Sequence, residues 1–136
     1  MQYGKHYILE CTVEQNDMLT NLEGVKAFFA SIVKTLHMTP VSECVSHVFP
    51  GSNGITAFQV IAESHISIHT WPEYNYFSFD VFSCKDFDDS ALDALIHQTF
   101  PIAKKVGQVI HRGTLMMNES DLSQAPTAIP TSSPSL

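Results

Sequence analysis

Residues 62–73 read Ala62-Glu63-Ser64-His65-Ile66-Ser67-Ile68-His69-Thr70-Trp71-Pro72-Glu73, and two spacings inside this stretch point to different folds. His65 and His69 stand four apart, the interval that places two imidazoles on one face of a helix and builds many zinc sites. Ile66 and Ile68 instead alternate with polar neighbours, which is the period of a half-buried strand. On a strand, a four-residue step separates the two imidazoles by roughly 13 Å, too far to share an ion. The alternation favours the strand, which ends at Trp71-Pro72, and with it a sheet protein with no metal.

The flanking sequence extends this reading. On the N-terminal side, residues 55–61 (ITAFQVI) are strand-like and follow the turn Pro50-Gly51-Ser52-Asn53-Gly54, with a partner strand predicted over 41–49. On the C-terminal side, residues 76–84 (YFSFDVFSC) place Tyr76, Ser78, Asp80, Phe82 and Cys84 on one face and Phe77, Phe79, Val81 and Ser83 on the other. An opening strand is expected over 3–11 and a last one over 105–112. Leu22, Val25, Phe28, Phe29, Ile32, Val33 and Leu36 recur at helical spacing, with Thr20 and Glu23 placed as a capping box and Pro40 as a stop. A second helix should start at an Asp88 cap and end near Phe100-Pro101. This order predicts an α+β fold, a two-layer α/β sandwich whose mainly antiparallel sheet is covered on one face by two helices, as a single domain over 1–117. The Ser/Pro/Thr-rich stretch 118–136 reads as a disordered tail.

Bulk properties narrow the function. A chain of 136 residues, 44% hydrophobic, suits one globular core. The formal charge of −7, with only seven Lys and Arg, disfavours nucleic acid as a partner. No apolar run is long enough to span a bilayer and the first residues do not read as a signal peptide, so the expected location is cytoplasmic, with no membrane contact. Cys11, Cys44 and Cys84 fit neither a disulfide framework nor a Cys-x-x-Cys site, and the usual fate of each is a buried, reduced thiol.

Besides metal binding, the stretch 62–73 admits two chemical readings. Ser64 or Ser67 activated by a histidine would be a hydrolytic nucleophile, but nothing here matches Gly-x-Ser-x-Gly. Alternatively, the Ser64 hydroxyl attacks the Glu63 carbonyl, turning the amide into an ester by an N→O acyl shift. A base then removes the Ser64 α-proton, the acyl chain leaves, and the resulting dehydroalanine hydrolyses to a pyruvoyl group. Ser64 and His69 have opposite strand parity, so a bend or bulge is expected at Glu63-Ser64.

The residues Ala62-Glu63-Ser64-His65-Ile66-Ser67-Ile68-His69-Thr70-Trp71-Pro72-Glu73-Tyr74, followed by Asp80-Val81-Phe82-Ser83-Cys84, resemble the signature of the prokaryotic pyruvoyl-dependent S-adenosylmethionine decarboxylases. Lys5-His6-Tyr7-Ile8-Leu9-Glu10 and His47-Val48-Phe49 resemble further family segments, so that the likeness covers roughly residues 4 to 113. It implies a zymogen, a lyase that cuts itself between Glu63 and Ser64 into a β chain, 1–63, and an α chain, 64–136, with a covalent pyruvoyl cofactor made from Ser64. His69 would assist processing and catalysis, Thr56 would replace a family serine that helps processing, and Cys84 would return a proton to the substrate carbon. Phe49, Trp71 and Glu73 would contact the adenosyl group, although core filling is an equal alternative for Trp71. The substrate amine would form a Schiff base with the pyruvoyl carbonyl, and decarboxylated S-adenosylmethionine would serve spermidine and polyamine biosynthesis. The resemblance further implies a homodimer of cleaved protomers with active sites at or near the interface. Departures at Val48, the longer 50–54 turn, Asn75, Phe77 and Phe79 lie where a pocket is expected. They leave arginine or ornithine as alternative substrates and a non-catalytic paralogue as a third reading.

Overall fold

The computed structural model describes residues 4–116; the predicted tail from Asn118 lies outside the described residues. Six strands form one antiparallel sheet: β1 (Gly4–Val13), β2 (Val45–Val48), β3 (Ile55–Ile61), β4 (Ser64–Trp71), β5 (Tyr76–Ser83) and β6 (Ile102–Arg112), in the order β2-β3-β4-β5-β1-β6. Two helices, α1 (Leu22–Thr35) and α2 (Asp89–Thr99), complete the α+β architecture.

The helices cover one face of the sheet. Leu9 and Cys11 of β1, Ile55 and Ala57 of β3, Ile66 and Ile68 of β4, and Phe77, Phe79 and Val81 of β5 form a buried layer with Val25, Phe28, Phe29 and Ile32 of α1 and Leu92 and Ile96 of α2. Phe28 packs on Phe79 at 5.5 Å and edge-on to Phe100 at 5.2 Å, and Phe77 stacks on Phe100 at 4.4 Å. The bulk of Phe77 and Phe79 therefore fills the core, whereas the sequence placed it at a pocket, and only Phe79 also borders a small cavity, beside His69. The alternate residues of these strands, among them His6, Thr56, His65, Ser67, His69, Trp71 and Asp80, point to the opposite face, over which no helix lies among the described residues.

Three local details depart from the sequence reading. The cap of α1 is Asn21, whose Oδ1 accepts from Gly24 N–H at 2.9 Å, and not a Thr20–Glu23 box. Asp88 caps α2 as expected, accepting from the N–H groups of Ser90 and Ala91. β2 is only four residues long, and β6 begins at Ile102, three residues earlier than predicted. Between β3 and β4 the chain reverses, because Ile61 pairs with Ser64 and leaves Ala62-Glu63 as a two-residue hairpin turn. The expected bend at Glu63-Ser64 takes this form.

Buried Thr70 ties the sheet to the loop before α1. Its hydroxyl donates to Leu19 C=O at 2.7 Å and accepts from Ile55 N–H at 2.8 Å. That bond fixes the start of β3 against the end of β4, where the pocket described next is built.

Candidate active site

The residues singled out in the sequence fall into two groups at opposite ends of β4. At its start stands the Glu63–Ser64 bond. Glu63 is held through both its main chain and its side chain. Its carbonyl oxygen accepts from Cys84 N–H at 2.9 Å, and its carboxylate accepts from Thr39 N–H at 3.0 Å. The preceding Ala62 N–H donates to Thr39 C=O at 2.8 Å, so the segment after α1 braces the turn from outside. Ser64 follows in an extended conformation and pairs across to Ser83, one residue before Cys84. Cys84 is exposed, which removes the buried-thiol reading for it, whereas Cys11 is buried and its thiol is pushed up to about 12 chiefly by that burial.

At the other end, Phe49, Ser52, Thr56, His69, Thr70, Trp71 and Glu73 line a cavity of about 240 Å³. Thr56 and His69 face each other across the β3–β4 register, and Thr56 Oγ1 shares a hydrogen bond with His69 Nδ1 at 3.2 Å. Trp71 is 42% exposed and therefore a wall of this cavity, not core filling. Phe49 is likewise exposed and meets His47 edge-on at 4.6 Å. Asn75 closes the turn after Glu73 with φ 49° and ψ 44°, a left-handed conformation that asparagine tolerates better than most side chains. The backbone thus accommodates Asn75, one of the departures from the family resemblance. Ser52 also lines the cavity, although the sequence offered it only as part of a turn.

Between the two ends, on the open face, lies a network that the sequence did not reveal. His6 Nε2 and His65 Nε2 each donate to Asp80 Oδ2 at 2.7 Å, and Ser67 Oγ donates to Asp80 Oδ1. Burial alone would raise the Asp80 carboxyl, but the hydrogen bonds from Ser67, His6 and His65 outweigh it and hold it below the usual carboxylate range. Phe58 stacks on His65 at 5.1 Å, and Arg112 lies over the Phe82 ring at 4.3 Å with an N–H directed at His6 Nδ1, 3.4 Å away. The three ligand-type atoms of His6, His65 and Asp80 lie within 4.8 Å of one another. They already satisfy each other, and Arg112 pins His6 in the tautomer whose Nε2 carries the proton.

Comparison with known proteins identifies the family. The family model described as S-adenosylmethionine decarboxylase matches residues 5–113. The chain belongs to the S-adenosylmethionine decarboxylase family. The S-adenosylmethionine decarboxylase proenzyme of Aquifex aeolicus is 31% identical over 124 residues, covering 90% of this chain and 89% of that protein. The proenzyme of Methanococcus maripaludis strain C5 is 43% identical over 84 residues, which are 61% of this chain and 66% of the archaeal one. The crystal structure of the Aquifex adenosylmethionine decarboxylase superposes with a TM-score of 0.70 at 27% identity, covering 82% of this chain and 92% of that one. The family assignment confirms the resemblance read from residues 62–84, and the solved structure confirms the fold class.

What neither sequence nor family membership displays is the separation of the two groups. Ser64 and His69 are five residues apart on one regular strand, a span of about 16 Å. Their side chains cannot meet within one protomer.

Proposed function

We propose that the chain is a self-processing decarboxylase that converts S-adenosylmethionine to its decarboxylated form, the aminopropyl donor for spermidine synthesis. The observation that carries this reading is the Cys84 N–H on the Glu63 carbonyl, next to the Ser64 hydroxyl. When Ser64 Oγ attacks that carbonyl carbon, negative charge develops on the oxygen that already accepts the Cys84 N–H, which lowers the cost of the tetrahedral state. The C–N bond then breaks, its electrons and a proton go to the Ser64 nitrogen, and an ester links Glu63 to Ser64 Oγ. A base takes the Ser64 α-proton, the ester oxygen leaves with the Glu63 acyl group as a new carboxylate, and water converts the dehydroalanine to pyruvoyl with loss of ammonia. The residues present fit that group: the serine follows the Ala62-Glu63 turn, and Cys84, next to its cross-strand partner Ser83, supplies the carbonyl-polarising N–H and carries an exposed thiol. A pyruvoyl carbonyl there supplies an electron sink for the substrate amine as carbon dioxide leaves, and Cys84 is the proton donor to the substrate carbon.

The base in this scheme is His69, oriented by Thr56, and it has to come from a second copy of the chain. A homodimer formed through the open sheet faces brings Ser64 and Cys84 of one protomer to the Phe49–Thr56–His69–Trp71–Glu73 pocket of its partner. The aromatic walls suit a purine, and Glu73 suits a ribose hydroxyl or a cationic substrate. A cytoplasmic location fits the three free cysteines, and no helix among the described residues is long and apolar enough to cross a membrane.

Intact-mass measurement of the purified protein, followed by assay of carbon dioxide release from labelled S-adenosylmethionine, arginine and ornithine, tests the proposal. The expected result is two chains, the larger without a free α-amine, and release from S-adenosylmethionine alone. A single uncut chain with an ordinary Ser64 refutes self-processing, and release from arginine or ornithine refutes the substrate.

A further inference from the structure

Lys5 is an unusual core residue. It sits on the helix-facing side of β1, paired with Ser83, and is 6% exposed. Its Nζ lies 3.0 Å from Asp86 Oδ1 and 2.5 Å from Asp89 Oδ1, donates to Phe87 C=O at 2.7 Å, and stands 4.4 Å from the centre of the Phe87 ring. All of these partners belong to residues 86–89, the segment that directly follows Cys84 and Lys85. An apolar side chain of similar length would fill the same space without the desolvation cost of an ammonium ion, so stability alone gives a weak reason for a lysine here.

We propose that Lys5 is a positioning residue for Cys84, holding the 84–89 loop so that the Cys84 N–H stays on the Glu63 carbonyl during self-cleavage and the Cys84 thiol stays in register afterwards. The inference rests on the self-processing reading and adds to it the element that fixes the geometry. Cys84 is exposed and has no regular strand after it to hold it, so its place depends on the two residues that flank it. Ser83 is buried and bridges the loop start, its Oγ donating to Lys85 C=O at 2.6 Å and accepting from Lys85 N–H at 3.0 Å. Lys85 Nζ donates to His37 C=O at 2.8 Å, at the end of α1. Lys5 supplies the tie beyond these, gathering Asp86, Phe87 and Asp89 under the end of β5. Burial would lower the Lys5 pKa, but the hydrogen bonds and ion pairs that its ammonium makes to Asp89 and Asp86 outweigh it and leave it raised, so the clamp stays charged through neutral pH. Without it, Asp86 and Asp89 lose their shared cation and the loop relaxes toward solvent, taking the Cys84 N–H off the scissile carbonyl. A misplacement of about 1 Å is enough to cost on the order of 100-fold in rate.

The test compares Lys5→Met, which keeps length and loses charge, and Lys5→Arg, which keeps charge, with Val25→Ala, a fully buried position in α1 that serves as a control for stability loss. Self-cleavage is followed by intact mass well below every melting temperature. Lys5→Met should slow cleavage by about 10- to 100-fold, Lys5→Arg should restore most of the rate, and Val25→Ala should cleave like the natural chain. In the processed enzyme Lys5→Met should lower kcat and leave KM unchanged, because Lys5 contacts residues 86–89 and none of Phe49, Trp71 and Glu73. Cleavage by Lys5→Met as fast as by Val25→Ala overturns the inference. Amide exchange at Cys84 in a Ser64→Ala background separates this failure from that of the processing reading, since it requires no cleavage. There, Lys5→Met should raise the Cys84 exchange rate by about tenfold or more, and unchanged protection overturns the clamp even if the natural chain processes normally.

Discussion

Mixing two inactive variants tests whether the active site is shared between two copies. Ser64→Ala has no nucleophile and His69→Ala no base, so each alone should remain uncut. The five-residue step from Ser64 to His69 spans about 16 Å, against the ~3 Å reach of a hydrogen bond, and within one protomer that gap cannot close without dismantling β4. In a mixed two-fold dimer one site is assembled from the intact Ser64 of the His69→Ala chain and the intact His69 of the Ser64→Ala chain, while the other site lacks both. With equal amounts and random pairing, about half of the dimers are mixed, so about half of the His69→Ala chains should be cut and none of the Ser64→Ala chains. Co-expression with two distinguishable tags and intact-mass analysis reads this fraction directly. Cleavage of His69→Ala no greater in the mixture than alone would refute the shared site and leave the strand geometry unable to explain processing through His69.

Two further outcomes follow from the residues around the site. Asn75 holds a left-handed backbone, so Asn75→Gly should fold with stability near that of the natural chain, whereas Asn75→Val should lose about 1–2 kcal/mol in urea unfolding. Asp80 has a folded-state carboxyl pKa below its usual 3.8, so its stabilisation is complete above that value and is lost as pH falls through the folded one. The stability advantage of the natural chain over Asp80→Asn should therefore shrink as acid is added below about pH 4, and an advantage independent of pH in that range would contradict the assignment.

The parts of the fold set by period were legible in the sequence. Alternation in residues 76–84 assigned both faces of β5 correctly, because burial there follows the period of two throughout, even where side-chain type does not, with Phe82 outward and Ser83 buried. The hairpin turn at Ala62-Glu63 was also recoverable in principle. The inward residues of β3 are odd-numbered, Ile55, Ala57 and Ile61, and those of β4 are even-numbered, Ile66 and Ile68. That change of parity requires a break between them, although no Gly, Pro or Asn marks it. The Asp80 network was not legible, since its members come from β1, β4 and β5 and meet only through strand order. The clamp at Lys5 was hidden for the same reason, its partners lying more than 80 residues away along the chain.

The resemblance implies that Ser64, His69 and Trp71 act as one group, yet a regular eight-residue strand sets them at two ends, the serine before the first inward isoleucine and the histidine and tryptophan after the last. Strand parity sharpens the contradiction, because Ser64 falls in the even-numbered row with Ile66 and Ile68 while His69 and Trp71 lie on the open face. A turn at Glu63 resolves the first half by exposing the bond where β4 begins. Two-fold symmetry resolves the second, since an axis that brings Ser64 to its partner's His69 must pass near the midpoint of β4, beside Ser67. The cross-strand neighbour of Ser67 is Asp80, so in the proposed dimer the hydrogen-bonded carboxylates of both copies come close to the axis. Their charge is tolerable there because each is already bonded to two imidazoles and a hydroxyl. The network that has no place in the chemistry of a single protomer thus acquires one at the contact that completes the site.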